Sequence, residues 1–299
     1  MRKIQKRVSA RTCQGVKTVY HHGTKTDYPS AETQTEAGLK FARGGRIEEA
    51  VAAFTRAIEL DSSRWEAYRL RGIAYARLAQ HPSAIRDFNV ALLHNPECAG
   101  CLYERGTVKM LSGEMAEAEE DFSKCLELDP EHAAAYSSRA GVRMRKGLYQ
   151  EALEDISSAL LLTPQNPDYL HNRAVILAAL GHYGKAIRDY ERVIEINPRS
   201  AGSYNNLAWL LTMADDPSYR DCTKAIAYAG KALEMGKNGA WMDTLAAAYA
   251  ECGEFEKAVS IETEAYKLSR PPNENFNKRI EIYKTGKTYA QWRETERLN

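Results

Sequence analysis

The chain of 299 residues is 44% hydrophobic and 27% charged, ordinary for a soluble globular protein and long enough for one large domain or two smaller ones. Its 41 basic and 40 acidic side chains nearly cancel, which excludes a strong global field aimed at nucleic acid. No long apolar run occurs, so no membrane-spanning helix is expected and the chain reads as cytoplasmic. Six cysteines (Cys13, Cys98, Cys101, Cys125, Cys222 and Cys252) are too few and too scattered for a disulfide framework, and Cys98 and Cys101 are expected as free thiols.

In chain order, residues 1–30 come first as a basic, flexible N-terminal arm. Arg2, Lys3, Lys6, Arg7, Arg11, Lys17 and Lys25 face Asp27 alone, a net of +6. From residue 31 the sequence repeats itself. Gly38, Gly72, Gly106, Ala140, Ala174 and Ala208 stand 34 residues apart, as do Ala50, Ala84, Ala118, Ala152 and Ala186. Phe54, Phe88, Phe122, Ile156 and Tyr190 keep step, followed by Pro96, Pro130, Pro164 and Pro198. The units run 31–64, 65–98, 99–132, 133–166 and 167–200. A sixth, 201–238, slips after "AGSYNNLAWLL", where Asp216-Pro217 marks a turn and Asp221 an N-cap. A seventh, 239–271, has Ala246, Tyr249, Gly253 and Ala258 in register and stops at Pro271-Pro272. Residues 272–299 offer Phe276, Ile280, Ile282 and Tyr283 for a C-terminal capping helix, followed by a tail.

This pattern resembles the tetratricopeptide repeat family, and the "LAWLL" to "KAIAYAGKALEM" stretch resembles a module ending many bacterial members. The resemblance implies an all-α fold, a right-handed α-solenoid of about seven helix-turn-helix repeats closed by the capping helix. Small residues at repeat positions 8, 20 and 27 let the paired helices approach. Glycine at position 15 (Gly45, Gly113, Gly147 and Gly181) turns the chain between them.

Two sets of residues stand out on that frame. Position 7 is Arg71, Arg105, Arg139 and Arg173 in repeats two to five, and position 23 of the same repeats is Asp87, Asp121, Asp155 and Asp189. The charges come and go together, which predicts a structural ion pair between the two helices of each repeat. The second set follows from the resemblance, which places positions 2, 5, 6, 9, 12 and 13 on a concave groove. There stand Arg43, Arg69, Arg77, Tyr103, Met110 and Arg145, then His171, Asn172, Asn205, Asn206 and Trp209. Amides can bond both donors and acceptors of an extended peptide, and arginines can hold carboxylates. No repeat supplies the lysine and asparagine of the family's chaperone-binding clamp.

No phosphate loop, nucleophile elbow or H-E-x-x-H occurs, so no catalytic residue and no cofactor are expected. Cys98 and Cys101 form a C-x-x-C without a second pair to complete a zinc site, and no metal is expected there. The sequence therefore points to a non-catalytic scaffold or adaptor that binds a protein or peptide in the groove. The alternatives are a nucleic-acid-associated protein tethered by the basic arm, and a regulatory subunit of a separate enzyme.

Overall fold

The computed structural model describes residues 16–21, 24–269, 271 and 273–298. The arm's basic residues as far as Arg11, together with Cys13 and His22, lie outside the described residues. The chain divides into two compact units at Val142/Arg143.

The first unit opens with a two-stranded antiparallel hairpin, β1 (Val16–His21) and β2 (Thr24–Pro29), in which Val16 pairs with Pro29 and His21 with Thr24. Both strands fall within residues 1–30, the stretch expected to be a flexible arm, and the Val, Thr and Tyr of VKTVYH with the Thr and Tyr of TKTDYP favour extended backbone. The helices follow as α1 (Ala31–Arg43), α2 (Ile47–Leu60), α3 (Trp65–Arg77), α4 (His81–His94), α5 (Ala99–Leu111) and α6 (Met115–Leu128), then α7 (Ala133–Arg145), within which the division falls. Ser30 starts α1 with a reciprocal cap. Its hydroxyl accepts from the Thr33 amide at 3.2 Å, and its own amide donates to Thr33 Oγ1 at 2.9 Å.

Within each repeat of this unit the two helices pack closely, α1 on α2, α3 on α4 and α5 on α6. The reason is steric. A Cβ at Gly72 or Gly106 would lie 2.9 Å from the ring of Phe88 or Phe122, and one at Gly38 would lie 2.4 Å from Phe54. Glycine at position 8 thus seats a fully buried phenylalanine whose burial contributes about 2–3 kcal/mol. Each hairpin turn needs a left-handed residue at position 15, and Gly45 and Gly113 supply it at φ 76° and 87°. In repeat two that position is Ala79, held at φ 56°.

The second unit contains α8 (Tyr149–Leu162), α9 (Pro167–Ala179), α10 (Tyr183–Ile196), α11 (Ala201–Met213), α12 (Cys222–Met235), α13 (Gly239–Glu251), α14 (Phe255–Leu268), α15 (Glu274–Lys284) and α16 (Tyr289–Leu298). The insertion of repeat six is a short 3-10 turn, Pro217–Tyr219. Asp216 accepts from the Ser218 amide at its start, and Asp221 accepts from the Lys224 amide to open α12. At the C-terminal end Tyr283 is fully buried beside Ala246, Ala250 and Ala258.

Two expectations are corrected. The residues after the capping helix are not a simple tail but a second helix, α16. It begins at a capping box in which the Gln291 amide donates to Thr288 Oγ1 at 3.1 Å and the Thr288 amide to Gln291 Oε1 at 3.0 Å. The cysteines are not all free. Cys98 is joined to Cys101 and Cys222 to Cys252, with Cα atoms 5.2 and 5.5 Å apart, and Cys125 is a buried thiol. Stacking of α12 on α13 brings together cysteines 30 residues apart, a proximity that linear spacing does not display. Among the described residues no helix is long and apolar enough to cross a membrane.

Candidate functional site

Three of the position-7 arginines are held by the aspartate on the second helix of their own repeat. In the first unit Arg71 holds Asp87 through Nε at 2.7 Å and Nη2 at 2.8 Å. Arg105 holds Asp121 through Nε at 2.8 Å and Nη2 at 2.5 Å, and Lys109 adds a contact at 2.8 Å. In the second unit Arg173 holds Asp189 through Nε at 2.7 Å and Nη2 at 2.8 Å, and Asp155 takes Arg143 at 2.9 Å. The expected pair of Arg139 with Asp155 spans the division between the units and stays an expectation; within its own unit Arg139 donates to Ser123 at 3.0 Å. Asp87, Asp121, Asp155 and Asp189 are all buried.

On the first unit's helices Arg43 and Arg77 are exposed, and Arg77 donates to the Ala42 carbonyl at 3.2 Å. Arg69 lies flat against Gly100, one guanidinium nitrogen 3.3 Å from where a Cβ would stand, with its Nε buried and unpartnered. Close by, burial pushes the Glu104 carboxyl above its ordinary range, opposed by the positive charges of Arg69 and His132. Tyr103 meets the His132 ring in a tilted contact, centroids 4.6 Å apart. Met110 packs into the cluster of Ala118 and Phe122, so part of it is spent on the core.

The second unit's residues converge more tightly. Arg145 is exposed and Asn172 half-buried. His171 Nδ1 lies 2.7 Å from Ser203 Oγ, which accepts from Ser200 Oγ at 2.9 Å, and the imidazole meets Tyr190 edge-on at 5.6 Å. Burial lowers the His171 pKa, with Asp168 opposing, so the ring is neutral at pH 7. Ser203 has no solvent exposure, so this serine–histidine pair orients the ring and offers no nucleophile to a substrate. Asn205 donates to Asn206 at 3.5 Å, and the Asn206 amide bonds the Tyr190 hydroxyl, whose pKa burial drives far up.

Asn206 and Trp209 also line a cavity of about 440 Å³ between α9, α10 and α11. Val175, Tyr183, Tyr190 and Met213 give it an apolar wall, and Asp215 with Arg293 closes one side through a 2.8 Å ion pair. Arg279, paired with Asp243, sits 5.2 Å from the centre of the Trp209 ring. Asn206 and Trp209 are among the residues the sequence offers as groove candidates; Tyr183, Tyr190, Asp215 and Arg293 are not. The two tyrosines belong to α10, read only as a packing helix, and Arg293 lies 78 residues from its partner. Among the described residues no group of three or more His, Cys, Asp or Glu is placed to hold a metal ion.

Family models described as tetratricopeptide repeat match residues 167–200 and 189–219, and others described as a TPR repeat and a tetratricopeptide repeat match 38–78 and 103–168. The chain belongs to the tetratricopeptide repeat family. Over 95 residues it is 28% identical to the TPR repeat-containing thioredoxin TDX of Arabidopsis thaliana, a match covering 32% of this chain and 25% of that protein. The chain therefore spans about a quarter of that relative's length. Its fold is similar to that of a tetratricopeptide repeat protein from Parabacteroides merdae, with a TM-score of 0.63 and 18% identity over 85% of this chain and 98% of the other. YrrB, titled a TPR protein with an unusual peptide-binding site, is similar at a TM-score of 0.50 and 24% identity, covering 58% of this chain and 89% of its own. At these identities the structural likenesses concern the fold alone.

Proposed function

We propose that this tetratricopeptide repeat protein is a non-catalytic interaction scaffold that takes an extended segment of a partner protein along the first helices of its repeats. The cavity beside Trp209 carries the reading. It pairs an apolar wall with an amide, Asn206, held in place by Tyr190, which suits an apolar side chain of a peptide whose backbone bonds the amide. Asn205, Asn172 and His171 extend the polar row on α9 and α11. Arg69 and Tyr103 give the first unit a more basic row, matched to acidic side chains. Support also comes from the family, whose fold generally serves protein interaction, and from the peptide-binding site named for YrrB.

A peptide array probed with the full chain tests the proposal. Wild type is expected to capture a defined set of apolar-anchored peptides, and Asn206→Ala with Trp209→Ala to lose them. An identical capture pattern for both proteins overturns it.

A further inference from the structure

Arg173 interrupts a hydrogen-bond pattern that runs through the first unit. There each position-7 arginine uses Nη1 to reach the side chain sixteen residues earlier. Arg71 donates to Thr55 at 3.0 Å, Arg105 to Asn89 at 2.7 Å and Arg139 to Ser123 at 3.0 Å. In the second unit Arg173 grips Asp189 through Nε and Nη2 as its counterparts do, but no hydrogen bond joins Nη1 to Ser157, the matching residue. A cavity of about 340 Å³ lies at that point, among α8, α9 and α10, and both Arg173 and Ser157 line it.

The charge of its wall changes at the same place. Lys185 and Arg188 line the cavity from α10, and both are exposed without an ion-pair partner among the described residues. The matching positions on the second helices of repeats three and four hold Glu117 with Glu120, and Glu151 with Glu154. Only repeat five replaces both carboxylates with cations. Arg173, Lys185 and Arg188 against Asp189 leave the cavity two positive charges in excess. A carboxylate ligand would neutralise one of them. A phosphate monoester carries about −1.5 to −2 at pH 7, which matches the excess, and its three acceptor oxygens suit the three cationic side chains of Arg173, Lys185 and Arg188. Leu153 and Leu177 supply an apolar wall for the carbon side of an ester.

We propose that this cavity is a binding site for a phosphate group, free or esterified to a side chain, with Arg173 Nη1, Lys185 and Arg188 as its donors; the Ser157 hydroxyl, which donates to the Leu153 carbonyl at 2.6 Å, lines the site without donating. It lies apart from the cavity at Trp209 and does not depend on the peptide-groove reading.

The test titrates the full chain, at about 50 mM salt so that screening stays weak, with inorganic phosphate, with N-acetyl-phosphoserine methylamide and with its unphosphorylated counterpart. Calorimetry and ³¹P NMR read binding. The phosphorylated probes are expected to bind and the unphosphorylated one not, with Arg188→Glu and Lys185→Glu each weakening binding at least tenfold. Arg86→Glu, at the matching exposed position of repeat two, is expected to leave it within twofold. Tighter binding of inorganic phosphate assigns a soluble anion, and tighter binding of the phosphoserine compound assigns a phosphorylated side chain; both uphold the site. Equal losses in Arg188→Glu and Arg86→Glu, or no distinction between phosphorylated and unphosphorylated serine, would overturn it.

Discussion

Replacing Asp121 with alanine is the most informative single perturbation of the frame. Its carboxylate is 2% exposed and receives three contacts, two from Arg105 at 2.8 and 2.5 Å and one from Lys109 at 2.8 Å. The side chains of Arg105 and Lys109 are themselves only 17% and 15% exposed. Asp121→Ala therefore leaves two largely desolvated cations beside the space where their shared counter-charge stood. Arg105 keeps one neutral partner, Asn89 at 2.7 Å, which cannot replace the charge. Breaking a buried pair from one side costs about 3–5 kcal/mol. For a chain of this size that lowers the thermal midpoint by roughly 5–8 °C. Asp121→Asn retains the shape and some hydrogen bonding, so it falls between wild type and alanine. Replacing all three groups with apolar residues costs less than the single alanine, because no charge is then stranded. Differential scanning calorimetry and urea unfolding measure the series. A midpoint for Asp121→Ala within 2 °C of wild type would refute the claim that the aspartates lock the repeats.

Three other outcomes are expected. Ala79→Gly relieves the left-handed backbone at φ 56°, and after the added freedom of unfolded glycine it raises stability by about 0.5–1 kcal/mol, read as a higher urea midpoint. Glu262 is fully buried with neither carboxylate oxygen partnered, and burial raises its pKa from 4.5 to about 8. The folded chain therefore holds that proton where the unfolded chain releases it; the contribution is whole below pH 4.5 and is lost as pH rises to about 8. Glu262→Gln should raise the midpoint markedly at pH 8 and little at pH 4.5, and equal shifts at both would count against the assignment. Opening the Cys222–Cys252 loop of 30 residues by Cys222→Ser costs about 3.5 kcal/mol in the chain-entropy model. Dithiothreitol should then lower the midpoint of wild type more than that of the variant.

The period of 34 was legible because each repeat solves the same packing problem with the same few residues. Gly72 and Phe88, or Gly106 and Phe122, are one contact written twice in the sequence. Three of the ion pairs, those of Arg71, Arg105 and Arg173, were legible for a related reason, since arginine and aspartate appear and disappear together. What stayed hidden depends on stacking between repeats. Cys222 and Cys252 meet only once α12 lies on α13, and the Trp209 cavity needs walls from four helices, α9, α10, α11 and α16. Helix α16 is a different kind of miss. Its capping box, Thr288 with Gln291, is a local signal, but it sits beyond the repeats, where the period offers no guide.

The central claim is that the cavity beside Trp209 binds a partner's peptide. Its most direct measurement is the calorimetric affinity of one array-selected peptide for the full chain and for Trp209→Ala, with the melting curve of each protein recorded alongside. The account predicts at least a tenfold weaker affinity, about 1.4 kcal/mol, in a variant that still folds. An unchanged affinity in a folded Trp209→Ala protein would contradict it.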